Sequence, residues 1–305
     1  MTKNSGAVSK KKLDKEIIFN ISQLEIFNQK NFKFINGLCT LDELSPNRLL
    51  FSDLLSEKLQ KIISIDSDTS CLFVVPKEAE NIIKVPCLLS DNPRETFSLI
   101  SKYLFKYDTE YWNQDDLIDS SADIHSSTII MNNVSIGSNS TIGANCIIFS
   151  NVVIGPNCHI GDDVIVKSNT VIGQPGFGIF KTKEGNNEHL PHVGGVLIGD
   201  NVEIGALNTV VAGTINPTKV NNFVKTDDHD HIAHNCQIGT GTQIAACAEL
   251  SGSVDIGKNC WLGPNCSIRD SLSIGSDVFI GIGANVTKSF GSNVTIAGNP
   301  AKEIV

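Results

Sequence analysis

One spacing constrains this chain more than any other feature. Twenty-four positions recur at six-residue intervals, and 23 of them hold Ile, Leu or Val. They fall in three blocks: Ile124 to Ile172, then Ile198, Ile204 and Val210, then Val220 to Val286, with Thr226 the one non-aliphatic member. A period of six matches neither a helix face nor a flat alternating strand. It matches a solenoid of short strands separated by turns, with one aliphatic side chain pointing inward on each side. Three sides make a coil, so the 24 positions predict about eight coils of parallel β-helix.

The nine cysteines fit this pattern better than a redox or metal framework. Cys146, Cys158, Cys236, Cys260 and Cys266 each lie two residues before a repeat aliphatic, where a small apolar side chain fits a narrow core. There is no CxxC and no secretory signal, which predicts reduced thiols rather than disulfides or zinc. The net charge of −9 leaves no basic surplus for a phosphate backbone, so no nucleic-acid partner is expected. No run reaches the roughly 18 apolar residues of a membrane span. A cytoplasmic location is the corresponding expectation.

Before the repeat, FKFING, RLLFSD, SCLFVVP and VPCLLSD read as short strands bounded by turn residues. Asn92-Pro93 followed by Phe97, Ile100 and Leu104 reads as a capped amphipathic helix. The expected organisation is a disordered tail over 1–15, a small α/β domain that binds a nucleotide sugar over 16–105 and a linker over 106–123. A β-helix over 124–290 and a C-terminal cap over 291–305 complete it.

Breaks in the repeat point to chemistry. Ile172 and Ile198 are 26 residues apart, two too many for the register to continue, so the glycine-rich segment 174–197 must be a loop thrown out from the coil. A tolerated insertion is the alternative. Phe177 and Gly178 are its expected substrate contacts.

Thr226 to Asn235 reads TDDHDHIAHN, three histidines and three carboxylates in ten residues. Ile232 sets the phase, which predicts His231 and Ala233 outward and His234 at the following turn. A histidine there, oriented by a carboxylate, is a candidate general base because imidazole titrates near working pH. Asp227 is the candidate orienting group, with Asp228 and Asp230 as alternatives. A divalent metal is the competing reading, but alternating residues of a strand face opposite ways, so the cluster cannot converge on one ion. A solvated polar stripe is the third.

The motifs IGQPGFG, HVGGVLIGDNVEIGA and HIAHNCQIG, preceded by INGLCTLDELSP, CLFVVP and CLLSDNPRETFSLISKYLF, resemble the UDP-3-O-acylglucosamine N-acyltransferases of lipid A synthesis over roughly residues 30 to 290. The resemblance implies a left-handed helix and a homotrimer with active sites between adjacent solenoids. It also implies His234 as the base for the sugar amine, Asp227 as its partner, His231 and Asn235 as substrate contacts, and Phe51 against the nucleotide base. Three departures stand beside it. Glu57 and Lys58 occupy the place of an expected tyrosine, Ser271 replaces a second histidine, and the family's helical extension for acyl carrier protein is replaced by IAGNPAKEIV. That ending is similar to coenzyme A-dependent sugar N-acetyltransferases, which implies Lys302 near coenzyme A phosphates; Lys288 and Gly283 are further candidate contacts to coenzyme A.

These departures lead to a specific expectation. It is an enzyme that moves acetyl or 3-hydroxybutanoyl from acyl-CoA, without metal, to the amine of a dTDP- or UDP-linked amino deoxy sugar for O-antigen. The alternatives are the lipid A enzyme itself with an acyl carrier protein donor, and a non-catalytic trimeric scaffold.

Overall fold

Stacked two-residue strands dominate the chain after residue 117. The computed structural model describes residues 8–29, 32–65, 69–105 and 117–304. They divide into two units, one formed by the N-terminal segment with residues 177–191, the other by residues 117–176 and 192–304.

The second unit is the predicted β-helix. Its strands form three parallel walls of ten, eight and eight strands, the first closed by one antiparallel strand, Lys302–Glu303. Two walls of eight match the expected eight coils. Each strand pairs in register with its equivalent one coil away, as Ile148 does with Ile130 and Val166. The repeat aliphatics from Ile136 to Val286 are buried in one continuous core. Corners follow from two residue types. At many corners the position after the aliphatic is glycine, as at Gly155, where a Cβ would lie 2.4 Å from the carbonyl oxygen of Gly173 in the next coil. Two positions further, asparagines such as Asn133, Asn151 and Asn169 hold φ near +60°, which asparagine tolerates well.

Ala233 departs from expectation. It is 7 % exposed and joins the core, its small side chain fitting inside the corner. The five corner cysteines are free thiols and buried. Cys146, Cys236 and Cys260 donate to carbonyls of the adjacent coil at 3.1–3.2 Å, so these thiols also satisfy backbone groups.

Thr226 breaks the aliphatic column for a reason visible in its contacts. Its hydroxyl oxygen accepts from Gly205 N–H at 3.0 Å and from Asn208 Nδ2 at 2.6 Å. Asn208 Oδ1 accepts from Asp230 N–H at 2.7 Å, and Asp230 Oδ1 from Ala248 N–H at 2.8 Å. A buried polar chain thus runs through three coils, and an aliphatic at 226 would leave its donors unpaired.

The boundaries shift from those expected. Residues 8–13 are not tail: β1 (Val8–Leu13) pairs antiparallel with β2 (Ile35–Gly37), and its Leu13 is buried. Asp14 then caps α1 (Lys15–Ser22) by accepting from the N–H groups of Glu16 and Ile17. The remainder of the expected tail, 1–7, lies outside the described residues. Of the expected linker, 106–116 also lies outside them, while Ile118 already pairs with Ile136, because it stands one full coil earlier in the repeat. At the other end Thr295–Ala297 continues the first wall, so the cap is partly coil.

The first unit holds the other predicted elements: β3 (Leu49–Phe51), α2 (Glu57–Ile63), β4 (Leu72–Pro76), β5 (Cys87–Ser90) and α3 (Pro93–Leu104). Strands β3, β4 and β5 form a parallel sheet. Asn92 caps α3 by accepting from Glu95 N–H, and Phe97, Ile100 and Leu104 are buried as their spacing requires. The 174–197 excursion is more ordered than a bare loop. It contains a hairpin of Ile179–Lys181 against Asn187–His189, tied to α3 by a Lys102–Glu188 ion pair and by Lys102 over the Phe180 ring at 5.8 Å.

Candidate active site

The strand His231–Ile232 lies in the second wall, and His234 opens the corner that follows it. Asn235 takes the left-handed corner position with φ 62°, and Ser253 N–H donates to the His234 carbonyl at 2.8 Å. The imidazole is half-buried. Its Nδ1 is 3.1 Å from Asn235 Nδ2. Asn235 Oδ1 accepts from Thr214 N–H at 2.9 Å and from Thr214 Oγ1 at 3.1 Å, which orients the amide. The NH₂ group therefore faces the ring. An NH₂ only donates, so Nδ1 accepts, and the neutral ring carries its proton on Nε2.

Space around the ring comes from two glycines. A Cβ on Gly252 would lie 2.4 Å from Cε1 and 2.7 Å from Nε2, and one on Gly176 would lie 3.2 Å from Cδ2. The ring of His192 meets it edge to face, with centroids 5.2 Å apart and planes at 66°. Burial pushes the His234 imidazole below its ordinary pKa, and the charge of His231 adds to the effect. At neutral pH His234 is thus in the proton-accepting form. His231 itself stands on the outer face of the wall, its Nδ1 2.6 Å from Thr209 Oγ1.

The three carboxylates separate. Asp227 is exposed at the corner after Lys225–Thr226, and among the described residues no hydrogen bond or ion pair joins it to His234. Successive corners of a triangular coil are a whole wall apart, so the expected Asp227–His234 contact is not made within the chain. Asn235 touches Nδ1 instead. Asp228 accepts from Ala206 N–H at 2.7 Å and caps its corner. Asp230 is 2 % exposed, and burial, reinforced by Asp227 and Asp228, pushes its carboxyl up to about 8. Among the described residues no three His, Cys, Asp or Glu side chains converge as a metal site.

The remaining candidates lie elsewhere. In the first unit Phe51 is half-buried, its ring 4.5 Å from that of Phe97 and 5.9 Å from the Arg94 guanidinium, which pairs with Asp53 at 3.0 Å. Phe177 is 83 % exposed at the start of the hairpin, which the Gly178 carbonyl closes by accepting from Leu190 N–H at 2.8 Å. In the second unit Lys288 shares His234's corner three coils on and lies 5.1 Å from the Phe290 ring. Gly283 sits at a different corner with φ 63°, and Lys302 belongs to the terminal hairpin. No sequence feature marks His192 or Gly252 as a site residue. HVGG carries the one and LSGS the other, but nothing in either motif shows that it meets His234.

Two repeat families match: "Bacterial transferase hexapeptide (six repeats)" over residues 139–174 and "Hexapeptide repeat of succinyl-transferase" over 253–288. The UDP-3-O-acylglucosamine N-acyltransferase of Campylobacter lari is 38% identical over 280 residues, covering 87% of this chain and 86% of that protein. The Coxiella burnetii enzyme of the same name is 47% identical over 81 residues, 27% of this chain and 24% of its own. Among solved structures, the UDP-N-acetylglucosamine acyltransferase of Francisella novicida aligns with a TM-score of 0.56 at 28% identity, over 62% of this chain and 68% of that one.

These relatives overturn the expected acyl-CoA enzyme acting on a dTDP- or UDP-linked amino deoxy sugar for O-antigen. The Campylobacter lari match spans 87% of the chain, so it outweighs departures confined to Glu57, Lys58, Ser271 and the last residues. The chain belongs to the UDP-3-O-acylglucosamine N-acyltransferase family, a family of left-handed β-helix acyltransferases.

Proposed function

We propose that this protein transfers a long-chain hydroxyacyl group from an acyl carrier protein to the free amine of UDP-3-O-acylglucosamine, in lipid A synthesis. The observation that carries this reading is the half-buried, neutral imidazole of His234, held at its corner in a chain that matches an enzyme of that name over 87% of its length. The amine nitrogen attacks the thioester carbonyl, the N–C bond forms, and the C–S bond then breaks to release the carrier thiol. His234 accepts the ammonium proton that the attack creates and returns it to the leaving thiolate. The Gly252 N–H, beside the ring and without an acceptor among the described residues, is the donor for the oxyanion.

The resting ring holds its lone pair on Nδ1, against Asn235. Base chemistry at Nε2 requires a carboxylate to take Nδ1–H in place of that amide. Asp227 is the proposed group, supplied by a neighbouring subunit of a homotrimer, since it does not reach His234 within one chain. Light scattering then returns a mass near three times 32.9 kDa. In the same reading Phe51 flanks the nucleotide base, and Lys288 and Lys302 meet the phosphate of the carrier's phosphopantetheine. A nucleotide sugar and a carrier thioester place the work in the cytoplasm. No helix of the described residues is long and apolar enough to cross a membrane.

The test is a donor competition with UDP-3-O-acylglucosamine as acceptor. Hydroxymyristoyl carrier protein should be consumed and a new amide should appear in the mass spectrum. Acetyl- and hydroxybutyryl-coenzyme A should remain intact. Consumption of a coenzyme A thioester alone would overturn the donor, and consumption of none would favour a scaffold.

A further inference from the structure

His192 begins the segment that returns the chain to the coil after the hairpin, and its side chain is 3 % exposed. A ring so enclosed does not reach a substrate. It reaches His234: the two imidazoles meet edge to face at 5.2 Å, and both lie 3.2 Å from where a Cβ on Gly176 would stand. A third neighbour closes that side, since the same Cβ would lie 2.6 Å from Val211 Cγ1. Gly176 is therefore the gap through which the rings touch.

A second route leads from His192 to the same imidazole. Val193 N–H donates to the Thr214 carbonyl at 3.1 Å, and Gly194 N–H to the Gly213 carbonyl at 2.9 Å. The glycines permit this approach, for a Cβ on Gly194 would lie 2.4 Å from the Asn216 carbonyl oxygen and one on Gly213 only 1.8 Å. Thr214, so held, orients the Asn235 amide that donates to His234 Nδ1. The HVGG segment thus touches both the edge of the ring and the support of its Nδ1 partner.

We infer that His192 is a positioning residue for His234: its buried ring fixes the plane of the His234 imidazole, so that Nδ1 points at Asn235 in the resting ring and Nε2 keeps its direction once the ring proton moves to Nδ1. Two flat rings packed edge to face, here at 66°, resist rotation of either one, because the edge of one sits on the electron-rich face of the other. A free His234 ring would sample other χ2 angles, and each would take Nε2 out of line with the amine. The inference rests on His234 being the base.

The experiment compares His192→Ala and His192→Phe with His234→Ala in the full-length protein, using UDP-3-O-acylglucosamine and hydroxymyristoyl carrier protein. The first readout is kcat and acceptor KM; the second is the ¹⁵N imidazole spectrum of His234, assigned by its loss in His234→Ala. His192→Ala should lower kcat about tenfold and leave KM within about twofold. It should also replace the single Nε2–H pattern of His234 with a tautomer mixture. His192→Phe, which keeps a flat ring at the contact, should recover most of the turnover and the single pattern. An unchanged kcat and spectrum in His192→Ala would overturn the inference. If His192→Ala does not fold, His192→Phe decides alone, and a tautomer mixture there would overturn it equally. Wild-type turnover in His234→Ala is a separate failure that removes the catalytic reading whatever His192 does.

Discussion

The imidazole of His234 lies over Gly252 so closely that a side chain on the glycine would begin 2.4 Å from Cε1. Gly252 holds the same corner position one coil on, and the ring occupies the space its missing Cβ leaves. Its backbone lies outside the left-handed region, so alanine is compatible with the corner and the ring must yield instead. Gly252→Ala should lower kcat about tenfold to a hundredfold while the melting temperature stays within a few degrees. Steady-state kinetics beside a thermal melt check this, and an unchanged kcat would show that the ring works from another position.

The pH profile follows from the same burial. The pKa of His234 is lowered, so its neutral form persists to lower pH than that of an ordinary histidine. Activity limited by this base should fall only as pH drops below the usual imidazole range and should be flat from neutrality upward. His234→Ala should cost about 10² to 10⁴ in kcat, and Asp227→Asn less. His231→Ala serves as the control, because its ring faces Thr209 across the wall. A loss confined to His231→Ala would move the base to that residue.

Asp230 predicts a pH effect on stability. Its folded-state pKa of about 8 lies above the ordinary 3.8, so the folded chain keeps a proton that the unfolded chain releases. Between those two values stability therefore falls as pH rises, and the burden is fully present above the upper one. Among the described residues its Oδ2 has no hydrogen-bond partner, which makes the charged form the costly one. Asp230→Asn should raise the melting temperature more at pH 8.5 than at pH 5. Equal shifts at both would mean that the carboxyl does not titrate in this window.

Phe51 separates binding from packing. Its ring rests on Phe97 and under Arg94, which leaves a half-exposed aromatic edge in the first unit. If it flanks the base, Phe51→Ala should raise the nucleotide-sugar KM about tenfold with kcat little changed. A lower melting temperature with an unchanged KM would assign the ring to the core alone.

The β-helix, its eight coils and its buried thiols were legible because each arises from a local rule repeated along the chain. An aliphatic every six residues, a small residue two places earlier and asparagine or glycine at the corners state the same geometry at every coil. The capped helix from Pro93 was legible for the same reason. The start of the chain was not. The Lys-rich run at residues 10–12 looks like solvent-exposed tail, and only its pairing with Ile35–Gly37 makes Val8–Leu13 a strand.

The site divides along the same line. Phase counted from Ile232 placed His234 at a corner, and the AHN motif carried the resemblance that implied it as the base. Sequence could not say that Ala233 turns inward, that Asp230 is enclosed or that Asn235, not Asp227, meets the Nδ1 of the ring. Those depend on which corners share a side of the triangle. His192 lies 42 residues before His234, with the hairpin just ahead of it, and Gly252 lies 18 residues after, yet the three meet at one imidazole. Local spacing therefore determined the scaffold and the histidine, while the stacking of coils and the return of the 174–197 excursion decided what surrounds it, because contacts between distant segments follow from how the chain closes on itself rather than from any period within it.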